Sequence, residues 1–123
     1  DPDNAMVLNN YAYFLSLEGR ELEKALTMSS RAIALTDNNP TYLDTHAWVL
    51  FKLGRTAEAK KVMQQAIALD GQESAALLVH YGDILHAMGE QFMAEIYWRK
   101  GLEKGYDADQ ITRRMEQGKA EKE

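Results

Sequence analysis

Several features that would indicate a particular chemistry are scarce or missing from this chain of 123 residues. It has no cysteine, which excludes disulfides, thiolate metal sites and cysteine nucleophiles, and which leaves both the cytoplasm and the periplasm open. No apolar run approaches the roughly 18 residues that a membrane-spanning helix needs. The formal net charge is −5 and the basic residues are scattered, so we expect no nucleic-acid partner.

Catalytic motifs are missing as well. The sequence has no nucleophile elbow, phosphate-binding glycine loop or HExxH stretch. The one set resembling a catalytic or zinc site is His80, Asp83 and His86, but on a helix this spacing turns the two histidines apart. Its only candidate for a further ligand is His46, and a hydrogen bond between Asp83 and one histidine is the better interpretation. We therefore predict no enzyme activity, no metal and no cofactor.

What the chain does contain is one pattern repeated at a fixed interval. The stretches AYFLSLEGR, AWVLFKLGR and GDILHAMGE each carry a glycine near the end, and these glycines lie 35 residues apart at positions 19, 54 and 89. Leucines recur in the same register, and so do small residues. Alanine or glycine occupies Ala12, Ala25, Ala32, Ala47, Ala59, Ala66, Gly82, Ala94 and Gly101. A period of this length is typical of arrays of stacked helix pairs, in which small residues let the helices approach closely.

Each period predicts two helices, because apolar residues recur at spacings of three and four and no stretch alternates as a strand would. In the middle period Asn39 and Pro40 suit an N-cap and a first helical turn. Gly54 suits the left-handed residue that ends a first helix, and Thr56 can cap the second.

The end of the chain predicts a capping helix. Asp107 is a candidate N-cap, with Gln110 three residues later and Ile111 as the first apolar residue of a narrow stripe. We expect Arg113, Arg114 and Glu116 of this helix to face solvent.

This pattern resembles the tetratricopeptide repeat (TPR) family, whose units read W-x2-L-G-x2-Y, then A-x3-F, then A and P. The first repeat matches with Leu8, Tyr11, Ala12, Leu15, Ala25, Ser29 and Ala32. The second matches with Leu43, His46, Ala47, Leu50, Ala59, Met63 and Ala66, and the third with Leu78, Tyr81, Gly82, Leu85, Ala94, Trp98 and Gly101. The departures are the missing prolines and the polar His46.

The resemblance covers residues 4–104 and implies an all-α fold. That fold is an α-α superhelix, a TPR-like solenoid of three antiparallel helix pairs plus a short C-terminal helix. We predict a single array over residues 1–118, with repeats at 4–37, 38–72 and 73–105, a capping helix at 107–118 and a frayed tail at 119–123. The first helices lack the many lysines of eukaryotic co-chaperone domains and are more similar to those of bacterial arrays.

The opening DPDN resembles the loop that closes a preceding repeat, and Met6, Val7 and Tyr13 place apolar residues all around the first helix. We therefore expect the chain to be the C-terminal part of a longer array, because a terminal repeat normally has a polar outer face.

In TPR arrays the first helix of each repeat lines a concave groove, so the resemblance implies a protein or peptide ligand. The corresponding positions here are Asn9, Asn10, Tyr13, Asp44, Thr45, Trp48, Lys52, Val79, His80, Asp83 and His86. Rings supply apolar area and amides bind a peptide backbone. Some family members grip a C-terminal carboxylate with lysines and asparagines. Asp44 and Asp83 stand where a cation would be needed, so we expect a basic or apolar ligand instead.

Three functions stay open. The first is a non-catalytic scaffold that binds a peptide or helix in the groove. The second is a structural element that self-associates through its uncapped first helix, and the third is a docking tail of an upstream catalytic domain. Tyr13 and Trp48 also have an alternative role, in which they complete the packing between neighbouring first helices.

Overall fold

A computed structural model describes residues 3–69 and 71–122, and within them the chain is helical with no strand. The helices are α1 (Ala5–Glu18), α2 (Leu22–Thr36), α3 (Pro40–Lys52), α4 (Thr56–Ala68), α5 (Ala75–Ala87), α6 (Gln91–Glu103) and α7 (Ala108–Lys122), with a 3-10 turn at Gly71–Glu73. They form two compact units, Asp1–Asp70 and Gly71–Glu123, called unit 1 and unit 2 below. The first two residues of the DPDN stretch lie outside the described residues. In the described part no helix is long and apolar enough to cross a membrane.

The helix ends predicted for the middle repeat agree with the structure at Asn39, Pro40 and Gly54 but not at Thr56. The side chain of Asn39 accepts a hydrogen bond from the backbone N–H of Thr41 at 2.9 Å, and Pro40 opens α3, as predicted. Gly54 has a φ of +83°, a conformation that favours glycine. The prediction for Thr56 is wrong by one position, because Thr56 is the first helical residue of α4 and the residue before it makes no side-chain cap.

Unit 1 is held together by close contacts between two helix pairs. Helices α1 and α2 contact each other, as do α3 and α4, and α3 also contacts both helices of the first pair. Ala12, Leu15, Ala25 and Val49 form a cluster of fully buried side chains at this junction. Alanine on the facing helices keeps the axes close, and the partly buried side chains of Leu26, Met28 and Leu53 pack against this cluster.

A polar contact also joins α2 to α3. The hydroxyl of Ser29 is fully buried, donates to the carbonyl of Leu26 and lies 2.7 Å from Nδ1 of His46. Both Ser29 and His46 occupy positions that are apolar in the TPR pattern. Burial lowers the pKa of His46, and the charge of Arg55 lowers it further against the opposing effect of Glu58. Burial therefore favours the neutral imidazole at this position.

Unit 2 is built around a buried tryptophan. Trp98 on α6 is 1% exposed, and its Nε1 donates to Oδ1 of Asp83 on α5 at 3.0 Å. A Cβ at Gly82 would lie 2.4 Å from Cδ1 of Trp98, and a Cβ at Gly101 would lie 2.4 Å from Cγ2 of Val79. The two glycines are thus close-packing residues, as the repeat pattern predicts.

Helix α7 starts where the sequence predicts and ends later. Oδ1 of Asp107 accepts the backbone N–H groups of Asp109 at 2.8 Å and Gln110 at 3.2 Å, and Ile111 is buried. The helix continues to Lys122, beyond the predicted end at residue 118. The extension is consistent with the alanine, lysine and glutamate in this stretch, which are strong helix formers.

Candidate functional site

The predicted ligand surface of unit 1 begins on α1. Asn10 is exposed and Tyr13 is partly exposed, so both are accessible. Asn9 is 7% exposed, and its Nδ2 donates to Oδ1 of Asn10 at 3.4 Å. Oδ1 of Asn9 is buried and accepts no hydrogen bond from the described residues. An unsatisfied buried acceptor costs free energy, so this atom favours any donor that can reach it.

The second part of this surface lies on α3, which contacts α1. Thr45 is 5% exposed and Trp48 is 8% exposed, so both are mostly buried. The Trp48 ring packs at 5.2 Å against that of Phe51, and Nζ of Lys52 lies 5.2 Å from its centroid in a cation–π contact. The alternative in which Trp48 contributes to packing therefore has structural support. Asp44 is partly exposed and Lys52 is exposed.

In unit 2, two residues that were predicted to face a ligand are buried. Val79 is fully buried, and its Cγ2 occupies the space that a side chain at position 101 would need. The prediction that Val79 faces a ligand is therefore wrong, because its side chain belongs to the contact between α5 and α6. His80 is 6% exposed and also offers little surface.

Asp83 takes part in an ion pair that the sequence analysis missed. Its Oδ1 accepts from Nε of Arg114 at 2.7 Å and its Oδ2 from Nη2 at 3.2 Å, in addition to the bond from Trp98. Burial alone would lower the pKa of Arg114, but hydrogen bonding to Asp83 and the charge of that carboxylate raise it. Arg114 thus anchors α7 to α5, and the expectation that it faces solvent is wrong.

His86 is oriented by a neighbour on α6. Its Nδ1 lies 2.5 Å from Oε1 of Gln91, and its ring centroid lies 5.5 Å from that of Trp98. The expected hydrogen bond between Asp83 and a histidine stays a prediction. Among residues 3–69 and 71–122, no three histidine, aspartate or glutamate side chains are grouped so that they could hold a metal ion.

No family model matches the chain. It is similar in sequence to a TPR repeat-containing protein from the bacterium Pseudomonas aeruginosa, with 31% identity over 67 residues, or 54% of this chain. The chain covers only 11% of that relative's length.

Solved structures match over nearly the whole chain. The first TPR domain of human RPAP3 has a TM-score of 0.84 at 18% identity, covering 98% of this chain and 93% of that one. The TPR domain of Sgt2 from Aspergillus fumigatus has a TM-score of 0.82 at 20% identity, covering 95% and 78%. The first TPR of Spaghetti (RPAP3), bound to an HSP90 peptide, has 0.82 at 18%, covering 98% and 94%. The fold of this chain is therefore the all-α tetratricopeptide repeat fold that its register predicts.

Proposed function

We propose that this chain is a non-catalytic protein-interaction module that binds a peptide segment or a partner helix on its first helices. The observation that carries the proposal is the surface shared by α1 and α3 in unit 1. Two helices in contact, α1 and α3, carry accessible polar groups at Asn10, Tyr13, Asp44 and Lys52. In unit 2, we still predict that the α5 residues His80, Asp83 and His86 contact a ligand.

This surface has the chemistry to bind a peptide backbone. The side-chain amide of Asn10 can donate and accept, and the partly exposed ring of Tyr13 supplies apolar area with a hydroxyl at its tip. Asn9, whose side-chain amide donates to Asn10, carries a buried Oδ1 that would gain a donor if a small movement admitted a peptide N–H.

The charges on this surface select the kind of peptide. Spaghetti (RPAP3), which has the same fold, is bound to the HSP90 peptide SRMEEVD, an acidic sequence. Here Asp44 stands at an accessible position of α3, whereas the ammonium of Lys52, the one lysine among the eleven predicted site residues, lies over the Trp48 ring. A carboxylate disfavours an acidic ligand and attracts a basic one. We therefore expect a basic or apolar peptide rather than an acidic C-terminus.

Titration followed by NMR tests this proposal. The 15N-labelled chain is titrated with a pooled library of basic and apolar peptides and, separately, with SRMEEVD. Shifts are expected at the amides of Asn10, Tyr13 and Asp44 with the first pool only. In Asp44→Lys the affinity for basic peptides should fall about tenfold, which corresponds to ~1.4 kcal/mol.

The matched control is Glu18→Lys, which makes the same charge change at an exposed position on α1 that the proposal does not use. This variant should bind basic peptides almost as tightly as the wild type. Equal weakening in the two variants would mean that net charge alone attracts the peptide. Tight binding of SRMEEVD, or shifts confined to other helices, would contradict the proposed surface.

A further inference from the structure

Asp83 on α5 occupies a repeat position that carries an aromatic ring in the first two repeats. The equivalent residues 35 and 70 positions earlier are Trp48 and Tyr13. All three are among the residues predicted to face a ligand. Because only the third repeat has a charge at this position, Asp83 is where that repeat can select a ligand by its charge.

The carboxylate of Asp83 is held in one orientation and is bound by a guanidinium. The indole N–H of the buried Trp98 donates to Oδ1 at 3.0 Å. Arg114 of α7 donates to the two carboxylate oxygens from Nε at 2.7 Å and from Nη2 at 3.2 Å. Its Cζ also lies 5.5 Å from the centroid of the Tyr106 ring, in a cation–π contact. The oriented carboxylate and the ring together have the geometry that binds a planar guanidinium.

Helix α7 makes few close contacts with the rest of unit 2. Among residues 108–119 of this helix, only Ile111 and Gly118 are buried. A groove of about 420 Å³ remains between α6 and α7, and Leu102 and Met115 are among the residues that line it. Side chains that border unfilled space lose dispersion contacts. The ion pair between Arg114 and Asp83 is therefore a large part of what holds α7 in place.

One polar contact beneath α7 opposes its docking. Oε1 of Gln91 lies 2.5 Å from Nδ1 of His86, whereas Nε2 of Gln91 is buried and has no hydrogen-bond partner among the residues that the structure describes. A Cβ at Gly118 would overlap this nitrogen, so α7 is the element that covers it. A buried donor without an acceptor costs free energy. Movement of α7 away from α6 would let water satisfy Nε2 and would recover this cost.

We propose that Asp83 is a binding site for an arginine of the partner peptide, and that Arg114 occupies this site until the peptide displaces it. Loss of Arg114 alone would leave the carboxylate without a cation, which is costly for a mostly buried group. Replacement by another guanidinium keeps the carboxylate paired, so an arginine-containing peptide can displace α7 where an apolar peptide cannot. A lysine ammonium is a poorer substitute, because it lacks the planar fork that binds both carboxylate oxygens. The inference rests on the proposed function and specifies its basic peptide as one that contains arginine.

The other parts of the site do not depend on α7. Trp98 belongs to α6, and the backbone N–H of Tyr106 donates to the carbonyl of Gly101 on α6 at 3.0 Å. The indole and the ring can therefore stay beside Asp83 when α7 moves away. Docked α7 then lowers the apparent affinity for a peptide by the fraction of molecules in which Arg114 occupies the site.

Titration with a matched pair of peptides tests the inference. The pentapeptide ALRLA and its lysine counterpart ALKLA, both blocked at their ends, are added to the 15N-labelled full chain. NMR follows the indole N–H of Trp98 and the side-chain Nε–H of Arg114. ALRLA should shift both signals and speed hydrogen exchange throughout α7, and ALKLA should bind about tenfold more weakly. Arg114→Met removes the internal competitor and should raise the affinity for ALRLA about tenfold.

Two further variants and a matched control separate this mechanism from a change of charge. Arg113→Met makes the same charge change at the exposed neighbouring position and should leave the affinity unchanged. Gly118→Leu keeps Arg114 but overfills the contact with Gln91, so it should also raise the affinity for ALRLA. Adding Asp83→Asn to Arg114→Met should remove the gain. Circular dichroism establishes that each variant is folded, and two independent ways of displacing α7 keep the test decisive if one variant unfolds.

An unchanged affinity for ALRLA in both Arg114→Met and Gly118→Leu would overturn the inference. So would equally tight binding of ALKLA, or an equal gain in Arg113→Met. The surface proposed in unit 1 is monitored separately, at the amides of Asn10 and Asp44. Shifts at these amides without any change at the Trp98 indole would support the proposed function and overturn this inference. Shifts at the Trp98 indole alone would support the arginine site and contradict the surface in unit 1.

Discussion

The two units fill the same position of the repeat in opposite ways. Ser29 in unit 1 and Trp98 in unit 2 are register equivalents, and both are buried. The small serine is joined to the polar ring of His46. The large tryptophan is accommodated by the missing side chain of Gly82 and hydrogen-bonded to Asp83. This position of the repeat is thus buried in both units. The neighbouring residues determine whether a large ring or a small polar side chain occupies it.

The largest effect should come from removing the tryptophan. Trp98→Ala should lower the free energy of unfolding of unit 2 by about 3–5 kcal/mol, because it leaves a cavity in a close-packed core. Ser29→Ala in unit 1 should cost only about 1 kcal/mol, the value of one hydrogen bond. Hydrogen exchange of the α5 and α2 amides measures the two units separately. Equal losses would show that the two positions are not distinguished by volume.

Substitutions at Gly82 and Trp98 test whether these two residues depend on each other. Gly82→Ala alone should destabilise unit 2 by about 1–3 kcal/mol, since the added Cβ would overlap the Trp98 ring and lies 3.1 Å from the Ala94 carbonyl. The second repeat pairs Ala47 with Met63 at these positions.

Adding Trp98→Met to Gly82→Ala should therefore cost less than the sum of the two single changes, in a double-mutant cycle measured by urea unfolding. Additive costs in that cycle would show that Gly82 and Trp98 do not depend on each other.

A smaller effect is expected where α7 joins unit 2. Arg114→Met leaves the Asp83 carboxylate without its cation, and both side chains are less than a quarter exposed, at 23% and 16%. We expect a loss of about 1–2 kcal/mol, below the range for fully buried pairs, seen as faster hydrogen exchange throughout α7. Arg113→Met, at the exposed neighbouring position, is the matched control and should change exchange little. Similar effects of both changes would mean that the ion pair does not hold the helix.

The smallest expected effect is the dependence of the stability of unit 1 on pH. The pKa of His46 is lowered from 6.5 in the folded chain, chiefly by burial, so the unfolded chain binds more protons below that pH. The stability of unit 1 should therefore be constant above about pH 6.5 and fall as the pH drops through the window beneath it. Urea unfolding from pH 7.5 to 5 measures the slope. His46→Gln should remove this contribution, and an unchanged slope would exclude His46 as its source.

Local rules predicted most of the fold. The N-caps Asn39 and Asp107 and the helix-ending Gly54 follow from nearest neighbours in the chain, and the close-packing Gly82 follows from the repeat period. The structure confirms all four. These features depend on backbone conformation and period, which a sequence displays directly. The all-α class and the paired helices follow from the same information.

Contacts between distant positions were not predictable in this way. Arg114 meets Asp83 across 31 residues, and nothing in the surrounding sequence distinguishes it from the exposed Arg113. Val79 was assigned to the ligand surface by its position in the repeat, yet the glycine at position 101 draws it into the core. The polar departures Ser29 and His46 were visible, but only the structure shows that they contact each other. Which side chains pair across two helices depends on the rotation of each helix about its axis and on the distance between the helices. The repeat period determines neither.

Each unit contains one tryptophan, Trp48 in unit 1 and Trp98 in unit 2, and both rings are buried. Each half of the molecule therefore has one tryptophan reporter, and the two tryptophans have different surroundings. The lysine ammonium over Trp48 and the imidazole and carboxylate beside Trp98 should give the two emissions different maxima. Stopped-flow emission of the unmodified chain should then resolve the order in which its halves lose structure, without any attached dye.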